Sequence, residues 1–123
     1  MTDKVVDASA IAAIIFDEPP GASAEATIKG STLFASDLIG YELANVCVKK
    51  IRAKPEERTR LLEAFETYYD LGIREIAIDE REVIMLANDK RLSFYDASYL
   101  WLAQSLGVEL VTFDERLAKA AQP

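Results

Sequence analysis

The chain has 123 residues, of which 50% are hydrophobic and 28% charged, the balance of one folded domain spanning 1–123 and not of a disordered segment. Its formal net charge of -7 and its lack of histidine exclude imidazole triads, bases and ligands, and make non-specific electrostatic binding to nucleic acid weak. A single cysteine, Cys47, excludes an internal disulfide; between Val46 and Val48 it reads as a small buried hydrophobe in a reducing cytoplasm.

The β-branched pair Val5 and Val6 leads into Asp7, and the alanine-rich stretch Ala8 to Phe16 that follows suits a helix, so the start reads as strand, tight turn, helix. Asp7 interrupts this apolar segment, no basic region precedes it, and it is too short to span a bilayer, so neither signal peptide nor membrane anchor is expected. Pro19, Pro20 and Gly21 mark a turn. A short helix is expected from Ala22 to Lys29, ended by Gly30, and a second strand from Thr32 to Ala35.

From Asp37 to about Ala53, Ile39, Leu43, Val46 and Ile51 recur near helical spacing, with Ser36 or Asp37 as the cap and Lys49, Lys50, Arg52 and Lys54 at the C-terminal end. Pro55 opens another helix through Leu61, Leu62 and Phe65 to a stop at Gly72. Ile73 to Ile78 reads as a third strand. Asp79 and Glu82 have the spacing of a capping box for a helix to about Lys90. Ser93 starts the next helix, with Ala97, Leu100, Trp101, Ala103 and Leu106 facing a core and Gly107 at its end. A fourth strand, Val108 to Phe113, precedes a last helix from Asp114. Strands separated by helices imply a small parallel sheet of about four strands with about seven helices on its two faces, a three-layer α/β/α fold.

In such a sheet the C-terminal strand ends share the rim where ligands bind, and Asp7 and Asp114 stand at two of those ends. Glu42 lies among Leu38, Ile39, Leu43 and Val46, and Asp96 in the first turn of an apolar helix; a carboxylate facing inward there needs a partner. Each also has a plain structural explanation: Asp7, Asp96 and Asp114 fit helix capping and the helix dipole, and Glu42 fits an exposed face. If the four converge, mutual repulsion raises their pKa values unless a divalent cation holds them ionised. An all-oxygen set without His or Cys selects Mg²⁺ or Mn²⁺. Phosphodiester hydrolysis is the reaction such an ion supports.

In these stretches the chain resembles the PIN domain family, and within it the VapC-type toxins. The resemblance is carried by Val5 to Ala10, Glu42 to Asn45, Tyr95 to Ala97, and Leu110 to Asp114. It implies a PIN-like strand order 3-2-1-4 and a Mg²⁺-dependent endoribonuclease with Asp7, Glu42, Asp96 and Asp114 as the acidic catalytic and metal-binding quartet. Ser9, Asn45 and Thr112 would support it by hydrogen bonds. It also implies an RNA substrate, a cognate antitoxin that plugs the acidic cleft, and a homodimer. Of the basic residues, Lys49, Lys50, Arg52, Lys54, Arg58, Arg60, Lys90 and Arg91 either line a phosphate groove or are solvated helix ends favoured by the dipole. Two other functions remain open: a catalytically weak PIN-fold binding module, and a magnesium-dependent phosphatase or phosphoacceptor domain. Against the latter, Ser9 breaks the Asp-x-Asp pair of haloacid dehalogenase enzymes, and no Gly-rich phosphate loop is present.

Overall fold

Val5 and Val6 are fully buried at the end of the first strand of a computed structural model that describes residues 2–123. In chain order the elements are β1 (Asp3–Val6), α1 (Ala8–Ile15), α2 (Gly21–Ile28), β2 (Thr32–Ser36), α3 (Ile39–Ala53), α4 (Arg58–Glu66), β3 (Arg74–Ile76), α5 (Glu80–Lys90), α6 (Phe94–Leu106), β4 (Glu109–Val111) and α7 (Glu115–Ala120). The sheet order is β3-β2-β1-β4 and every pairing is parallel, with Val5 opposite Phe34, Val6 opposite Val111 and Ser36 opposite Ile76. The PIN-like order 3-2-1-4 and the seven α-helices expected from the sequence are therefore present.

Right-handed crossovers from β1 to β2 to β3 carry α1 to α4 over one face, and the return from β3 past β1 to β4 carries α5 and α6 over the other. The packing agrees: α3 lies against α1 and α4, while α6 lies against α5, β1 and β2. Chain direction across the sheet reverses at β1, so the rim beside its C-terminal end is the switch point where a crevice opens. Ile11, Ile39, Leu43, Val83, Tyr99, Leu100, Leu102 and Leu117 are fully buried in the core. Each large aliphatic among them contributes about 1.5–3 kcal/mol from burial.

Several expectations need correction. Neither Ser36 nor Asp37 caps α3: the helix starts at Ile39 after Leu38, with no side-chain cap, because Ser36 is still in β2 and fully buried. The segment from Pro55 to Gly72 is not one helix; 3-10 turns at Pro55–Glu57 and Thr67–Asp70 flank α4. The third and fourth strands are shorter than their apolar runs, at Arg74–Ile76 and Glu109–Val111. Gly21 is the first residue of α2 rather than part of the turn, and a Cβ there would sit 2.4 Å from the Ala13 carbonyl oxygen, so only glycine lets α2 approach α1. Leu106 is 43% exposed and does not face the core. Gly107 ends α6 as expected, in the left-handed conformation with φ 67°. Cys47 is buried, its thiol directed at the Leu61 carbonyl at 3.6 Å, and burial pushes its pKa up. None of the described helices is long and apolar enough to cross a membrane.

Candidate active site

Asp7 follows β1 directly and caps α1, its Oδ1 accepting the Ala10 N–H at 3.0 Å. Two hydroxyls hold the same carboxylate. Ser9 Oγ lies 2.8 and 2.9 Å from its two oxygens, and Thr112 donates to Oδ2 at 2.5 Å. Those hydroxyls are themselves fixed by the turn after β4: Ser9 Oγ accepts the Phe113 N–H at 2.9 Å and Thr112 Oγ1 accepts the Asp114 N–H at 3.0 Å. A carboxylate offers about four lone-pair positions. Ala10, Ser9 and Thr112 fill three of Asp7's, which leaves one free contact for an otherwise enclosed group, 2% exposed.

Asp114 is placed by the same device at another helix start, whereas Asp96 is held through its backbone by the cap of Ser93. Asp114 caps α7 by accepting the Leu117 N–H at 2.8 Å, and Ser93 caps α6 by accepting the Asp96 N–H at 3.0 Å, fixing the turn that carries Asp96. Capping and membership of the site are thus not alternatives. A side chain locked to the helix N-terminus is one whose carboxylate position is determined. Glu42 comes from the first turn of α3 and points inward, where Tyr99, fully buried on α6, donates to its Oε1 at 2.5 Å.

Asp7, Ser9, Glu42, Asp96, Tyr99 and Asp114 line one cavity of about 210 Å³ at the C-terminal rim of the sheet. All four acids read from the sequence meet there. Desolvation by burial raises the pKa of Asp7, and the Asp96 charge adds to this against the opposing hydrogen bonds of Thr112, Ala10 and Ser9. Glu42 is raised by burial and by Asp96 and Asp7, with Tyr99 pulling the other way. Burial and then the Asp114 charge raise Asp96, while Ser93 and the Arg116 guanidinium oppose them. The Tyr99 phenol is raised too, first by burial and then by Glu42, so it remains a donor.

This donor set fits a hard divalent cation in kind, being all oxygen and strongly anionic. It is not a closed cage: among the described residues no three acidic or cysteine side chains stand tightly enough together to hold a metal ion directly. Mg²⁺ keeps several of its waters and takes only one or two carboxylates directly, so the spread is compatible with ligation partly through water.

Asn45 does not reach this cavity; it is exposed and lines an adjoining one with Glu42 and Val46. Of the basic residues, Lys50 pairs with Glu18 at 2.8 Å, and Lys54 and Arg60 pair with Glu57 at 3.7 and 2.6 Å; Lys49 faces the cavity that holds Asn45. Tyr99 and Arg116 are absent from the residues singled out in the sequence. Tyr99 stands three positions after Asp96, hence on the same helical face, and that spacing was the available signal.

A parallel 3-2-1-4 sheet with an acidic cavity at its switch point defines the class, and the chain belongs to the PIN domain family, whose model matches residues 4–123. It is 34% identical over 120 residues to Ribonuclease VapC3 of Pyrobaculum aerophilum, a similarity covering 94% of this chain and 92% of that one. The crystal structure of PAE2754 from Pyrobaculum aerophilum has the same fold, with a TM-score of 0.78 at 24% identity over 98% of this chain and 81% of that chain.

Proposed function

We propose that this chain is a divalent-metal-dependent endoribonuclease of the VapC type, hydrolysing RNA phosphodiester bonds in the cytoplasm as the toxin of a type II toxin-antitoxin pair. The observation that carries the reading is the meeting of Asp7, Glu42, Asp96 and Asp114 in one cavity of a PIN-family chain that is similar to a ribonuclease over nearly its whole length. Asp7, Asp96 and Asp114 hold Mg²⁺ or Mn²⁺, with Glu42 beside them. The ion supplies Lewis-acid polarisation of a phosphoryl oxygen and the positive charge that makes clustered carboxylates tolerable.

The protein's own groups do the rest. Ser9 and Thr112 fix Asp7 so that its remaining lone pair faces the cavity. Glu42 takes the proton of the attacking water, and Tyr99 holds the carboxylate in place for it. A cognate antitoxin that fills the cavity and a homodimer that brings two cavities into one groove belong to the same proposal.

A labelled single-stranded RNA incubated with the protein and Mg²⁺ or Mn²⁺ tests it. Cleavage by the wild type, loss of cleavage with EDTA, and loss in Asp7→Asn with an unchanged circular dichroism spectrum are expected. Cleavage that persists in Asp7→Asn removes Asp7 from the mechanism, and phosphomonoester hydrolysis without RNA cleavage overturns the reading.

A further inference from the structure

Beside the acidic cavity lies a second of about 330 Å³, lined by Tyr41, Glu42, Asn45, Val46, Lys49 and Tyr95. Glu42 and Val46 belong to both, so whatever occupies the second cavity is within one side chain of the acidic site. Two of its lining residues are aromatics left largely in water, Tyr41 at 78% and Tyr95 at 50% exposure. They come from different helices, α3 and α6, and each stands next in sequence to an acid of the site, Glu42 and Asp96.

We propose that this cavity is a nucleobase subsite, in which an unpaired base of single-stranded RNA next to the scissile phosphate stacks on Tyr41 and Tyr95 while Asn45 reads its edge and Lys49 meets the flanking phosphate. The proposal deepens the nuclease reading and rests on it for the identity of the ligand as RNA. Exposed tyrosine rings provide stacking faces that any base can use, and base–aromatic stacking is how single-stranded RNA is commonly held. The Asn amide offers both a donor and an acceptor to a base edge, and a Lys ammonium is a point charge for phosphate. The cavity lies within the roughly 300–1,000 Å³ range of small-ligand pockets. Charge argues the same way. A chain of net charge -7 attracts a polyanion only weakly through its phosphates, so contacts to the bases are expected to add to the affinity.

The experiment measures binding in the Asp7→Asn protein with Mg²⁺, by fluorescence anisotropy of a labelled single-stranded oligoribonucleotide. Tyr41→Ala and Tyr95→Ala are each expected to weaken binding about tenfold, the usual worth of one lost stacked base, with Tyr41→Phe and Tyr95→Phe close to the unchanged protein. An oligonucleotide abasic at the nucleotide beside the scissile bond should lose at least the same factor, and should lose nothing further in Tyr41→Ala. The salt dependence should be shallow, a slope of about -0.7 for each phosphate contacted. Equal binding of the abasic oligonucleotide, or unchanged affinity in both alanine variants, overturns the subsite even where wild-type protein cleaves RNA. Tyrosine-dependent binding with no cleavage by wild-type protein upholds the subsite and overturns the nuclease reading instead.

Discussion

Asp7 is fastened by three donors before any ligand arrives, so its neighbours govern how well it can serve one. Thr112 is the strongest opponent of the rise that burial imposes on Asp7's pKa, and its hydroxyl also anchors the Asp114 backbone. Thr112→Val keeps the branched shape and removes both bonds together with the hydroxyl's contact to Ser9 Oγ at 3.3 Å. A lost hydrogen bond to a ligating carboxylate costs about 10- to 100-fold in metal affinity or activity. The Mg²⁺ concentration for half-maximal RNA cleavage is therefore expected to rise by that order in Thr112→Val, with little change in the far-ultraviolet spectrum; an unchanged Mg²⁺ requirement would show that Asp7 is held well enough by Ser9 and Ala10 alone. Tyr99→Phe makes the companion case at Glu42. The ring stays packed and only the donor to Oε1 is lost, so cleavage should fall while the denaturant midpoint shifts little.

Among the elements, the helix starts carry most of the site, and they were also its most legible part. Asp7, Asp79, Ser93 and Asp114 all cap helices as their spacing in sequence implies. Local chemistry decides a cap, and local chemistry is what a sequence displays. The box at Asp79 is only half made, because Glu82 accepts from the Trp101 indole at 2.8 Å instead of returning to the cap; that partner is 19 residues away and no local pattern points to it. The spacing of Tyr99 from Asp96 places it on the site's side of α6, but its partner Glu42 lies 57 residues earlier, which no local pattern displays. Ser36 looks like a cap for α3 in sequence, whereas sheet pairing with Ile76 and a bond from Ser98 claim it for β2. Caps with and without a functional side chain give a direct comparison. Asp79→Ala and Ser93→Ala should each cost about 1 kcal/mol of stability, read as a lower urea midpoint. Only Ser93→Ala should also reduce RNA cleavage, because its cap fixes the turn bearing Asp96. Equal cleavage by the two variants would separate Asp96 from the cap that places it.

On the scale of the whole molecule, gathering acids at one rim costs stability, and the cost has a sign that pH reveals. Asp7, Glu42 and Asp96 have pKa values raised above their reference values of 3.8, 4.5 and 3.8. Between those references and the raised values the folded state binds more protons than the unfolded one, so unfolding free energy falls as pH rises through that window and stays low above it. In EDTA the melting temperature is accordingly expected to be higher near about pH 5 than near about pH 8. The half-buried Glu57, lowered by Arg60 and Lys54, works in the opposite direction, but its partners are exposed and an ion pair of this kind is screened and contributes little. Divalent ions held at the rim are expected to reverse the dependence, because they favour ionised carboxylates: stabilisation by Mg²⁺ should be present at neutral pH and disappear on acidification as protons compete for the same oxygens. Asp96→Asn isolates the effect, removing one charge from the cluster while sparing the backbone cap at Ser93. Its metal-free melting temperature at neutral pH should exceed that of the wild type, and its gain on adding Mg²⁺ should shrink. A wild-type protein that melts lower in EDTA at the acidic end, by a margin Asp96→Asn does not alter, would show that the carboxylates at the rim do not repel one another enough to need an ion.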